Sequence, residues 1–286
     1  MPATPHSLIL PAPAKLNRML HIVGRRPDGY HELQTLFQLI DLCDTLTLTQ
    51  RQDSRIELTT PLAGVADDDN LIVRAARLLQ QKSGHHKGVS ISIDKCLPMG
   101  GGLGGGSSNA ATVLVGLNQL WQLGLDRQTL ATLGLSLGAD VPVFVHGHSA
   151  WAEGVGERLT PVTLDTPWFV VIHPGVSVST PAIFQDAELT RDSLPITMAR
   201  ALQGGAAEWR NDCEATVRKG YPLIADALDW LAQYAPCRLT GTGACLFAAF
   251  DTPEAAQAVA KQANQRWSAW VAKGLNTSPL QDALGC

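Results

Sequence analysis

Lys95-Cys96-Leu97-Pro98-Met99-Gly100-Gly101-Gly102-Leu103-Gly104-Gly105-Gly106-Ser107-Ser108-Asn109-Ala110-Ala111 decides how the rest of the chain is read. Before it, Val89-Ser90-Ile91-Ser92-Ile93 alternates apolar and polar residues, as a half-buried strand does. After it, an alanine-rich segment from Ser107 to Trp121 reads as a helix. A strand therefore runs into a glycine loop that opens a helix. Glycines lack a Cβ, so their N–H groups can come close to an anion. A helix N-terminus adds unpaired donors and a partial positive charge. Ser107 and Ser108 suit a cap or a contact with phosphate and metal, and Lys95 brings a positive charge beside the loop. A flexible loop with a serine cap accounts for the same residues.

Two other phosphate-site readings fare less well. Gly100, Gly102 and Gly105 satisfy Gly-x-Gly-x-x-Gly, the pattern of a dinucleotide-binding fold. That fold needs a second parallel strand after the helix, whereas Thr129–Leu137 reads as another helix. A Walker A loop is excluded, because no Gly-Lys-Ser/Thr follows the glycines.

Working outward, Ala14–Arg25 reads as extended and Arg26-Pro27-Asp28-Gly29 as a turn. Leu33–Leu42 is mixed in character. Thr45-Leu46-Thr47-Leu48-Thr49 alternates as a strand, with Ile56-Glu57-Leu58-Thr59 expected as its hairpin partner. Asp67-Asp68-Asp69-Asn70 supplies helix-start chemistry for Leu71–Leu79. Beyond the loop, strands are expected at Trp168–Ile172, Arg238–Thr240, Leu246–Phe250 and Trp267–Ala272. Helices are expected near Ile196–Leu202, Tyr221–Tyr234 and Pro253–Asn264, with a loop over Asp186–Pro195. A change of pattern near Thr160–Thr166 divides the chain into α+β halves, residues 1–162 and 163–286.

The composition is that of a globular protein, with 45% hydrophobic and 17% charged residues over 286 positions. A net charge of -4 excludes the broad basic face that non-specific nucleic-acid binding requires. Cys43, Cys96, Cys213, Cys237, Cys245 and Cys286 are scattered without a Cys-x-x-Cys pair, which points to reduced thiols. The early apolar run Leu8-Ile9-Leu10 is too short for a signal peptide, and no segment approaches the ~20 apolar residues of a membrane span. A soluble cytoplasmic protein is expected, a monomer or weak homodimer without nucleic-acid or membrane partners.

Two further segments join the glycine loop: Pro13-Ala14-Lys15-Leu16-Asn17 and Leu239-Thr240-Gly241-Thr242-Gly243-Ala244-Cys245. A loop such as Gly241-Thr242-Gly243 can bring backbone to a ligand or form a tight turn. Together the three segments resemble the motifs of the GHMP kinase superfamily, in order and at comparable spacing. The middle one is similar to that family's Pro-x-x-x-Gly-Leu-Gly-Ser-Ser-Ala loop, with Gly105 and Gly106 as extra glycines. Pro27-Asp28-Gly29-Tyr30-His31, Asn70-Leu71-Ile72, Gly138-Ala139-Asp140-Val141-Pro142 and Glu153-Gly154-Val155-Gly156-Glu157 extend the likeness to nearly the whole chain.

The resemblance implies a two-domain α+β GHMP kinase fold. Its N-terminal domain is of the ribosomal-protein-S5-like type, its C-terminal domain is ferredoxin-like, and the site lies in the cleft between them. It implies an ATP- and Mg²⁺-dependent kinase that phosphorylates an alcohol group of a small molecule. Lys15 and Asp140 form its catalytic pair. From local sequence alone, Lys15 also reads as a snorkelling surface lysine and Asp140 as a turn aspartate. Pro98, Met99, Gly100, Gly101, Gly102, Leu103, Gly104, Gly105, Gly106, Ser107 and Ser108 surround the ATP phosphates, while Asn70, Leu71 and Lys95 lie near adenine and ribose. Tyr30, His31 and Phe184 hold a cytosine base and Asn17 and Thr180 orient polar groups, so the substrate is a cytidine-nucleotide-linked sugar alcohol. Without the resemblance, Tyr30 and His31 read as a turn with a packed tyrosine. The protein ligands of Mg²⁺ are unassigned. Mevalonate- or homoserine-type kinases are the alternatives within the family. A nucleotide-binding regulator without catalysis is the alternative outside it, opposed by the presence of both Lys15 and Asp140.

Overall fold

A computed structural model describes residues 6–62, 64–205 and 209–285. Cys286 lies outside the described residues. The chain begins with two long antiparallel strands, β1 (Ser7–Arg25) and β2 (His31–Gln50), joined across the Pro-Asp-Gly turn. Most of β2 from Gln34 to Ile40 is buried on both faces. That double burial is why Leu33–Leu42 shows no alternation, and it continues as one strand into Thr45–Thr49.

On its second side, β2 meets three partners in turn. It pairs with β5 (Ala150–Gly154) at Leu33–Phe37, with β10 (Ser268–Leu275) at Leu39 and Ile40, and with β4 (Val89–Asp94) at Thr45–Gln50. The hairpin expected between Thr45–Thr49 and Ile56–Thr59 does not form. Ile56–Leu58 is β3, and it runs parallel to β4 at the sheet edge. Alternation identifies a half-buried strand but carries no information about its neighbour, and β4 outcompetes the local partner.

Helices α1 (Leu71–Ser83), α2 (Gly105–Leu120), α3 (Arg127–Leu135) and α4 (Val141–His146) accompany this part of the sheet. Their apolar faces and those of β1, β2 and β4 form one core, which includes Leu46, Leu79, Leu114, Phe144 and Ile91. In the second half, β7 (Trp168–His173) lies between β10 and β9 (Leu246–Phe250), and β8 (Cys237–Leu239) closes the edge. Here α7 (Glu214–Gly220), α8 (Pro222–Leu231) and α9 (Pro253–Ala263) help to build a second core around Val170, Ile224, Leu228 and Val259. Two short helices, α5 (Thr180–Gln185) and α6 (Met198–Gly204), flank the segment read as a loop. A short strand β6 (Arg158–Pro161) pairs with β5.

The two halves are joined by more than the chain connection. A third apolar cluster takes Ala14, Leu16, Ile40, Leu97 and Leu103 from the first half. It takes Phe169, Val171, Cys245 and Phe247 from the second, and it lies under the glycine loop. The chain also returns: β10 leaves β7 to touch β2, and α10 (Pro279–Leu284) places Leu280 in the first core. We propose the division at 162/163 as a working boundary, with this returning segment packed on the first half. No helix among the described residues is long and apolar enough to cross a membrane.

Candidate active site

Strand alternation explains the odd lysine. In β1, Ala14 and Leu16 face the third cluster, so Lys15 and Asn17 project together on the other side. Register shifts between Pro13 and Ala14 and between Asn17 and Met19 bracket them, and such bulges re-aim side chains. Lys15 is only 3% exposed. Its ammonium donates to Asn17 Oδ1 at 2.6 Å and Gly102 O at 3.0 Å, and it stands 3.4 Å from Asp140 Oδ2. Two hydrogen bonds and one ion pair thus hold the ammonium in place. Asp140 occupies the N-cap position of α4, yet its carboxylate makes no capping bond. The carboxylate is turned toward Lys15, and a third of the side chain stays accessible.

The glycine loop is locked against the Gly241-Thr242-Gly243 loop. Ala244 N donates to Gly100 O at 3.3 Å and Cys245 N to Gly101 O at 3.0 Å. Gly102 has φ +73°, and a Cβ there would lie 2.3 Å from Thr240 O. Only glycine fits, for both its backbone conformation and its space. Thr240 Oγ1 accepts from Asn17 N at 3.0 Å, so the three sequence segments meet at one point. The loop then enters α2, whose N-cap is Gly104 and has no side-chain cap. The first amides of α2 are therefore free to meet an anion at the positive end of a 16-residue helix.

Behind the loop lies a residue the sequence did not single out. Asp44 is fully buried in β2 and accepts from Cys96 N and Leu97 N at 2.8 Å each, and from Asn109 Nδ2 at 3.0 Å. Lys95 is 2.9 Å from it and also donates to Leu97 O. Lys95 thus anchors the base of the loop to the sheet and neutralises a buried carboxylate. The local sequence of Asp44 shows only a second acid three positions after Asp41 in a largely apolar strand, and its partners lie 51 to 65 residues away.

These parts line one cavity of about 580 Å³. Lys15, Asn17, Asn70, Leu71, Lys95, Pro98 to Ser107, Asp140, Thr180 and Phe184 all contribute to its wall. Asn70 caps α1 through Oδ1, which accepts from Ile72 N at 3.0 Å, while its buried Nδ2 has no partner. Thr180 and Thr242 share a hydrogen bond of 2.8 Å between their hydroxyls at the other end. Thr35, Phe37, Leu20 and Leu33 were not foreseen. They lie on β1 and β2, where apolar residues read as core.

Three expected residues stand off the wall. Ser108 is fully buried at the fourth position of α2, and its Oγ has no partner. Tyr30 is 64% exposed beside the Pro-Asp-Gly turn. His31 is buried behind Phe184, with the rings stacked at 5.0 Å and 27°. Burial, then the charges of Arg191 and Arg25, lower its pKa from the ordinary 6.5. Among the described residues, no three His, Cys, Asp or Glu side chains gather as a metal cluster, and the five described cysteines are unbonded.

A strand-linked glycine loop, a free helix start and a buried lysine beside an accessible carboxylate define a site for phosphoryl transfer. Two family models match the chain: GHMP kinases N terminal domain over residues 70–148 and GHMP kinases C terminal over residues 196–269. The chain belongs to the GHMP kinase family; it is a kinase, with ATP as co-substrate.

Within that family it is 64% identical, over 97% of its length and 94% of the relative's, to the curated 4-diphosphocytidyl-2-C-methyl-D-erythritol kinase of Chromohalobacter salexigens. A crystal structure of 4-(cytidine 5'-diphospho)-2C-methyl-D-erythritol kinase matches with TM-score 0.82 and 33% identity, covering 93% of this chain and 99% of that one. Homoserine kinase from Cytophaga hutchinsonii shares the fold alone, at TM-score 0.66 and 18% identity, with 97% of each chain covered.

Proposed function

We propose that the protein transfers the γ-phosphoryl group of ATP to the 2-hydroxyl of 4-diphosphocytidyl-2-C-methyl-D-erythritol, a step of non-mevalonate isoprenoid precursor biosynthesis. The observation that carries the chemistry is the 3.4 Å approach of Lys15 to Asp140 at the mouth of the glycine loop. The relative at 64% identity supports the choice of substrate.

Asp140 accepts the proton of the attacking hydroxyl, and Lys15 stabilises the negative charge that develops on that oxygen. The amides at the start of α2 bind the phosphates. Asn70 Nδ2, buried and unpartnered, donates to the nucleoside of ATP. Tyr30, His31 and Phe184 enclose the cytosine, and Asn17 and Thr180 orient the polar part of the substrate. Tyr30 swings in from solvent to do this, since an exposed ring gains by covering a base. Lys95 supports the loop through Asp44 as well as lining the ATP end. Mg²⁺, when bound, neutralises the β- and γ-phosphates. The oxygens near the loop, the Asp140 carboxylate and the Ser107 hydroxyl, fit a hard cation held largely by phosphate and water. Ser108 is fully buried in the first turn of α2, with an unpartnered Oγ.

A coupled ADP-release assay tests this reading. It compares the cytidylated methylerythritol substrate with mevalonate and homoserine. Turnover is expected with the first alone; preference for either of the others would overturn the substrate assignment. ATP binding with no ADP release on any substrate would favour a regulator.

A further inference from the structure

Arg191 lies in the irregular segment between α5 and α6. Its guanidinium meets four acceptors. Nε donates to His31 Nε2 at 3.1 Å, and Nη1 donates to Leu189 O at 3.1 Å. Nη2 donates to Phe184 O at 2.9 Å and Asp186 O at 2.7 Å. A guanidinium has only donors and stays charged at any working pH. His31 Nε2 is therefore the acceptor of this pair, and the neutral ring must carry its proton on Nδ1. A free imidazole samples both tautomers, but this one is held in a single form. The same guanidinium grips the carbonyl of Phe184, whose ring stacks on His31. One cation thus sets the imidazole's proton and the placement of its aromatic neighbour.

We infer that Arg191 is a specificity-determining positioning residue: by occupying His31 Nε2 it leaves Nδ1–H as the only group this imidazole offers a nucleobase, which selects cytosine over uracil. The inference rests on the proposed cytosine site. Cytosine N3 is an acceptor and takes the Nδ1–H. Uracil N3 carries a proton, so donor would face donor, and a site whose buried donor goes unpaired rejects that ligand. Burial, with the charges of Arg191 and Arg25, keeps His31 below the ordinary 6.5, so the single-donor form prevails at neutral pH.

The test measures kcat and KM for the cytidine-linked substrate and its uridine counterpart, with the wild type, Arg191→Met and Arg191→Lys. Arg191→Met is expected to raise the cytidine-substrate KM ~10-fold, with kcat within about twofold, and to shrink the cytidine preference in kcat/KM at least ~10-fold. Arg191→Lys keeps a cationic donor for Nε2 but loses the fork across three carbonyls. It should raise KM while retaining most of the base preference. Nitrogen-15 NMR of the wild type should show His31 protonated on Nδ1 alone, and Arg191→Met a mixture of tautomers.

An Nε2-protonated His31 in the wild type, or an unchanged base preference in Arg191→Met, would overturn the inference. His31→Ala separates the two levels of the argument. If its cytidine-substrate KM is normal, the cytosine site itself is wrong. If that KM rises while Arg191→Met keeps full discrimination, only the role of Arg191 falls. Should Arg191→Met fail to fold by circular dichroism, the wild-type tautomer decides.

Discussion

Replacing Gly102 by alanine tests whether the two glycine loops form one rigid unit. The backbone at Gly102 has φ +73°, where an L-residue costs about 1–2 kcal/mol. The new methyl would stand 2.3 Å from Thr240 O and 3.0 Å from Gly243 O, both backbone atoms that no rotamer change can move. The loops must separate by well over half an ångström, carrying with them the Gly102 carbonyl that holds Lys15. Gly100→Ala is the internal control. Its φ is +67°, but the nearest atom is Ser177 Oγ at 3.9 Å, so it carries the backbone cost without the clash.

Gly100→Ala should therefore lose about 1 kcal/mol of stability and Gly102→Ala about 3 kcal/mol, read from urea unfolding. Displacing Lys15 on that scale should lower kcat of Gly102→Ala by ~10²-fold in the coupled ADP assay, while Gly100→Ala stays within severalfold of wild type. Equal stability and turnover in the two variants would show that the loops give way freely, and the locked-loop account would be wrong.

Asp140→Asn should cut kcat by ~10²–10⁴-fold while ATP affinity, read by nucleotide fluorescence, stays near wild type; near-normal turnover would remove Asp140 as the base. Asp44→Ala leaves two buried N–H groups and Lys95 without their carboxylate, so urea unfolding should show a loss of about 3–5 kcal/mol. A loss under about 1 kcal/mol would mean that the loop base is held by packing instead. The imidazoles of His21, His31, His85, His146 and His173 all have lowered pKa values, with burial the first cause in each. As pH falls below about 6.5, the unfolded chain takes up protons before the folded one, so stability should fall through that window and be indifferent above about 7.5. A urea midpoint that holds or rises on acidification from pH 8 to about 5 would contradict those environments.

The legible parts of the sequence were those where a local rule has few solutions. The glycine loop reads correctly because close backbone approach excludes most side chains, as Gly102 against Thr240 shows. Asn70 was part of a visible helix start, and it caps α1. Lys15 betrayed itself as a charge in an apolar strand. What stayed hidden depends on distant partners. The parallel pairing of Ile56–Leu58 with Val89–Ile91 has no local signature. Strands β5 and β6 and helices α4 and α5 are so short that their periodicity is undefined, though α4 carries Asp140 and α5 carries Thr180 and Phe184. Asp44 and Arg191 read as ordinary polar residues because their partners lie up to 65 and 160 residues away.

The return of β10 and α10 to the first half orders events during synthesis. The segment that sets Gly274 beside Ile40 and Leu280 into the older core is translated after every other described element. Until it emerges, a nascent chain presents an apolar seat on its earliest-made half, the kind of surface that chaperones engage and that aggregation exploits. The half that carries the glycine loop thus leaves the ribosome before the other half and is among the last of the described parts to be sealed.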